Sequence, residues 1–137
     1  MQTAASIFVG ALLAIGMIGL LERHRREQAS YVYAAALVVA AAVYAAFSMN
    51  AGPGMWVLIE LSGVVVFGTV AVLGFRKSMA ILAAGWTLHV GWDIMHEIVD
   101  SDSFVPGWYP LLSVAFDLVV GLHLFRTWRR RALTEKP

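Results

Sequence analysis

The chain contains no cysteine among its 137 residues. Disulfides, thiolate metal sites and cysteine nucleophiles are therefore excluded, and oxygen and imidazole remain as ligand chemistry. Lysine and arginine are absent from the apolar stretches apart from Arg126 at the end of the last, so an acid placed deeper in them has no built-in cationic partner. The alternation that marks a membrane β-barrel is missing as well. No internal repeat supports an inverted-repeat transporter plan.

What is present is oil. Hydrophobic residues make up 60% of the chain and the mean hydropathy is +0.74, more apolar than a soluble domain, which is about half apolar. Five runs stand out, at residues 4–21, 31–49, 55–75, 79–99 and 111–128. Each is close to the roughly 20 residues needed to cross a hydrocarbon core. Lipid offers the backbone no partners outside the segment itself, so all five are expected to be helices of one all-α, polytopic membrane domain covering residues 1–137.

The net charge of +1 conceals a strong asymmetry. Arg23, Arg25 and Arg26 follow the first run, Arg76 and Lys77 the third, and Arg126, Arg129, Arg130, Arg131 and Lys136 close the fifth. The second and fourth connections carry none. The positive-inside rule then predicts an amino terminus outside and a carboxyl terminus in the cytoplasm, as expected of a multi-pass protein of a bacterial inner (plasma) membrane. The first run has no basic residue before it and no small-residue cleavage site after it, so it reads as a retained helix rather than a secretory signal. Trp56, Trp108, Tyr109 and Trp128 fall at the run ends as interfacial anchors. Gly and Ala in the first three runs suit close helix packing.

Against this background Glu60, Asp93, Glu97 and Asp117, with His89 and His96, are anomalous. Ionisable groups inside a membrane face a packed interior or a wet cavity, and they mark working sites. A lone buried acid or imidazole can be a mere clamp between helices, contributing about 0.6 to 2 kcal/mol; six together exceed what clamping needs. His123, near the basic end, reads as a clamp or interfacial group, and His24 as solvated loop.

In the fourth run, His89, Asp93, His96 and Glu97 share one helical sector, while Leu88, Val90, Ile94 and Ile98 occupy others. Neighbouring carboxylates repel, so the cluster requires a shared proton, a metal or a charged ligand. Counting about 1.5 Å per residue from the run ends puts Glu60, Asp93 and Asp117 at one level in the outer half, with His96 and Glu97 slightly above and His89 deeper. The expected pocket has Glu60, Asp93, His96 and Asp117 as metal ligands and His89, Glu97 or Asp93 as acid–base groups.

That donor set suits zinc, manganese or iron, and a pocket at this depth suits a lipophilic small-molecule substrate. Proton- or cation-coupled transport is the alternative, as are a metal-free membrane isomerase or cyclase and a structural assembly partner. Membrane lipid is the expected surrounding partner, a homo-oligomer stays open, and no nucleic-acid partner is expected. Haem held between His89 and His123 is disfavoured by a depth mismatch of about 9 Å.

The segment GWTLHVGWDIMHE, from Gly85 to Glu97, is followed by a proline-containing loop and a last helix bearing Asp117. It resembles the GW-x-LH-x-x-WD-x-x-H pattern of a family of uncharacterised small bacterial integral membrane proteins. The likeness rests on Gly85, Trp86, Leu88, His89, Trp92, Asp93 and His96. Members of that family tend to carry a second histidine where this chain has Glu97. The resemblance implies a unit of structure and no particular activity.

Overall fold

The computed structural model describes residues 2–51, 54–99 and 104–134, and among them every regular element is helical. Five α-helices follow in order: α1 (Gln2–His24), α2 (Ala29–Ala51), α3 (Gly54–Lys77), α4 (Met79–Val99) and α5 (Tyr109–Thr134). A single 3₁₀ turn, Arg26–Gln28, joins α1 to α2. Each helix covers one of the apolar runs and extends past most of their edges, because interfacial residues continue the hydrogen-bond ladder after the hydrophobic stretch has ended.

The termini have local causes. Between α3 and α4 only Ser78 intervenes; its hydroxyl accepts from the Ala80 amide at 3.2 Å, an N-cap that starts α4. Before α5 the Tyr109 amide donates to the Pro106 carbonyl at 2.8 Å. Pro110 then occupies the first turn, where a missing amide proton costs nothing.

Helices α1, α2, α3 and α5 are long and apolar enough to cross a membrane. Helix α4 is of similar length, 21 residues, but His89, Asp93 and His96 take the place of apolar side chains along it. It packs against α5 and α3 and more lightly against α2, while α1 lies along α5 and α2 along α3. At Gly10 a Cβ would collide with the Leu112 backbone carbonyl, so glycine is what lets α1 and α5 approach so closely.

The molecule is inside out relative to a soluble bundle. Phe8, Leu12, Leu20, Leu58, Val65, Leu88 and Ile98 are exposed, whereas Glu60, His89, Asp93, His96 and Asp117 are each at most 1% accessible. Such a surface is compatible with a lipid environment. On the half of the bundle toward the basic end, an apolar layer of Leu37, Leu82, Trp86, Val120 and Leu124 fills the interior. The polar residues lie beyond it, toward the α2–α3 and α4–α5 connections.

Candidate metal centre

One stripe of α4 supplies the centre. Trp86, His89, Asp93 and His96 recur at spacings of three and four, so they project from one side, and all four are buried. The helices packed against that stripe divide it into two units.

The inner unit joins α4 to α5. His89 Nδ1 lies 2.7 Å from Asp117 Oδ2 and 3.6 Å from Asp93 Oδ1. Ligand atoms of His89, Asp93 and Asp117 all fall within 4.8 Å of one another, a grouping able to hold a metal ion. The same three residues also pair among themselves, the His89 ring nitrogen facing both carboxyl groups. That pairing is incomplete: His89 Nε2, both oxygens of Asp93 and Asp117 Oδ1 are buried without a hydrogen-bond partner. The Tyr44 and Ser113 hydroxyls lie near the Asp93 carboxylate, but not in hydrogen-bonding geometry. Each such orphaned group costs about 1–3 kcal/mol, so four in one place call for a proton shared between the carboxyls or for a bound partner.

The outer unit joins α4 to α3, and it is saturated. His96 Nδ1 donates to the Trp92 carbonyl at 2.9 Å, which fixes the hydrogen on that nitrogen because a carbonyl can only accept. His96 Nε2 faces Glu60 Oε1 at 2.5 Å, a spacing that holds one proton between them. The Trp92 indole N–H donates to Glu60 Oε2 at 3.1 Å. The indole reaches that far because residue 63 is glycine: a Cβ there would stand 2.8 Å from the ring. Every nitrogen of His96 and every oxygen of Glu60 is thereby engaged.

The single pocket expected from counting residues is thus resolved into two layers. Glu60 meets His96, one turn outward of Asp93, and Asp117 meets His89, one turn inward. Depth counted from the end of an apolar run carries about one helical turn of error, and one turn decides which imidazole a carboxylate meets. The imidazole grouped with the two aspartates is His89, where the ligand set read from the sequence has His96. Glu97 lies on α4, and its side chain is outside the described residues, as are Asp100 and Asp102.

Aromatic rings wall both layers. The Tyr44 ring leans on His96 with centroids 4.5 Å apart and meets His89 edge-on at 6.1 Å, so one α2 side chain touches both units. Phe67 packs edge-on against His89 at 4.7 Å. Trp56 lies 5.3 Å from His96, and Tyr109 5.3 Å from Tyr44, so these two residues serve the site's walls as well as the interface. Trp108 and Trp128 remain exposed, as anchors do. Sequence reasoning missed Tyr44 and Phe67. The available signal was a phenol in an otherwise alanine-rich run, which by itself reads as packing. At the opposite end His123 Nε2 pairs with Glu22 at 3.3 Å, and His24 is exposed.

The chain belongs to a family of unknown function (DUF6010), whose family model matches residues 1–130. No curated protein and no solved structure matches it.

Proposed function

For this member of a family whose activity is open, we propose a membrane metal protein in which His89, Asp93 and Asp117 hold a divalent cation, and the centre serves a lipophilic small molecule. The observation that carries this reading is the set of four unpartnered, buried ligand atoms on three residues whose donor atoms lie within 4.8 Å. Charge supports it: once ionised, the two carboxylates hold two negative charges that a divalent cation cancels, and the one Lys or Arg inside the apolar runs, Arg126, lies at the basic end. Zinc, manganese and iron all accept mixed carboxylate and imidazole ligands. Such an ion polarises a bound oxygen or lowers the pKa of a water.

Five spans, α4 included, with the basic end in the cytoplasm, accompany the proposal. This orientation puts the centre in the outer half of the bilayer of a plasma membrane. Proton or cation carriage has less support, because Leu37, Leu82, Trp86, Val120 and Leu124 separate the polar layers from the basic end.

Elemental analysis of detergent-purified protein, run beside mass spectrometry of co-purifying lipids, tests the reading. The expected result is about one metal per chain, lost in Asp93→Asn and Asp117→Asn. Metal-free protein that conducts protons supports the carrier instead. Metal-free protein that conducts nothing leaves a metal-free isomerase or cyclase, or a structural partner.

A further inference from the structure

The end of the bundle opposite the metal centre holds a second chamber. The last turns of α5, the end of α1 and the starts of α2 and α4 line a cavity of about 400 Å³ there. Leu124, wholly buried, lies at its base and belongs to the apolar layer that parts this end from the polar stripe of α4. The buried ring of Tyr33 closes one wall, 5.9 Å from the His123 imidazole. The volume is within the roughly 300–1,000 Å³ of small-molecule sites.

The charged groups of this cavity can be reached from outside. Arg130 and Arg131 are exposed, and the side chains of His123 and Glu22 are 23% and 47% accessible. Glu22 already has a partner in His123 Nε2 at 3.3 Å, and the Thr127 hydroxyl gives its hydrogen to the His123 carbonyl at 2.9 Å. Arg130 and Arg131 have no ion-pair partner among the described residues. Two guanidinium groups outnumber the one carboxylate whether His123 is neutral or protonated, so the cavity favours an anion in both states.

The donors narrow the class of that anion. A cation would meet two fixed positive charges, and a hydrocarbon would strip water from both without replacing its hydrogen bonds. One guanidinium fork takes up both oxygens of a carboxylate, whereas a phosphate group has oxygens enough for two forks. A bare phosphate ion fills only a small part of the cavity, which leaves room for a substituent. Arg23 and Arg25, at the same end, differ in place: they border the α1–α2 connection with Glu27 and Gln28, outside this cavity.

We propose that the chamber binds the phosphate group of a lipid head or of a soluble phosphate ester, gripped by Arg130 and Arg131, while the His123–Glu22 pair holds α1 against α5 beside it. The site is independent of the metal reading. The layer of Leu37, Leu82, Trp86, Val120 and Leu124 lies between the two, and either can fail alone.

Matched pairs of probes test it on the full-length protein in detergent. Phosphatidic acid is compared with diacylglycerol of the same chains by native mass spectrometry, and glycerol phosphate with glycerol by equilibrium dialysis. Saturable binding of about one phosphate-bearing probe per chain is expected, at least about tenfold tighter than its phosphate-free counterpart, the factor supplied by one charge-assisted hydrogen bond. Binding of phosphatidic acid alone identifies a lipid head; binding of glycerol phosphate, alone or as well, identifies a site that a soluble ester fills. Arg130→Gln with Arg131→Gln is expected to weaken binding about tenfold or more. Arg23→Gln with Arg25→Gln removes the same charge from the same end and leaves binding unchanged. Ala29→Trp fills the cavity without altering its charge and abolishes binding, with Thr127→Phe as a second plug should that variant fail to yield monodisperse protein. Equal loss in the two arginine pairs would mean a diffuse positive surface and overturns the proposal. Equal binding within both matched pairs, or undiminished binding in a monodisperse plugged variant, overturns it as well.

Discussion

His89 Nδ1 of α4 and Asp117 Oδ2 of α5 lie 2.7 Å apart, both wholly removed from solvent. The contact spans the interface between two helices and leaves the other imidazole nitrogen and the other carboxylate oxygen unpaired. A clamp built only to hold the helices together would not need the second carboxylate of Asp93 one turn away.

Asp117→Asn keeps the shape and an acceptor for His89 while removing one negative charge. Metal content is expected to fall more than about tenfold with the helical content unchanged. Acidification should release the metal from the unaltered protein, because carboxylate and imidazole bind cations only when deprotonated. Elemental analysis and circular dichroism at a series of pH values measure both. Metal retained by the asparagine variant would remove Asp117 from the ligand set.

Glu60→Gln presents an amide of the same size to His96 and Trp92. Because the outer unit is saturated without any ion, metal content is expected to stay at the level of the unaltered protein. Glu60→Ala instead orphans the Trp92 indole N–H and the His96 nitrogen, and is expected to cost about 1–3 kcal/mol for each buried group left unpaired. Thermal unfolding in detergent reads the cost. Metal lost from well-folded Glu60→Gln would put Glu60 among the ligands, as the sequence alone suggests.

Gly63→Ala drives a methyl into the Trp92 indole, with an expected cost of about 1–3 kcal/mol from overpacking. Trp92→Phe withdraws the ring edge that the methyl meets. The two changes should then be less damaging together than the sum of each alone, a coupling that a double-mutant cycle of unfolding midpoints detects. Strict additivity would mean that Gly63 has no part in placing the indole.

The absence of native cysteine makes single-cysteine labelling clean. The proposed five spans would put residues 78 and 107 on opposite sides of the membrane, since only α4 separates them. Gly107→Cys is expected to react with an impermeant maleimide in intact cells, and Ser78→Cys only after permeabilisation. Reaction of both from one side would show that α4 does not cross.

The sequence made the helices legible because lipid permits so few alternatives: an apolar run of sufficient length has one backbone solution. The stripe of His89, Asp93 and His96 was legible for a similar reason, since helical period alone decides which residues share a side. The pairing across helices was not. Glu60 chooses His96, and Asp117 chooses His89, through the relative heights of three helices, which depend on Ser78 closing a one-residue turn and on Gly63 admitting Trp92. Tyr44 was hidden because its role lies in what it touches on α4, and nothing within α2 records that.

Helix α1 lies along α5 and exposes Phe8, Leu12, Leu13, Ile15 and Leu20 elsewhere. The first of the five helices thus has its main partner in the last, whereas α2, α3 and α4 each pack against a helix next to them in the chain. A substitution at Gly10, which seats against the Leu112 backbone, would therefore loosen a contact between the two most distant helices of the sequence.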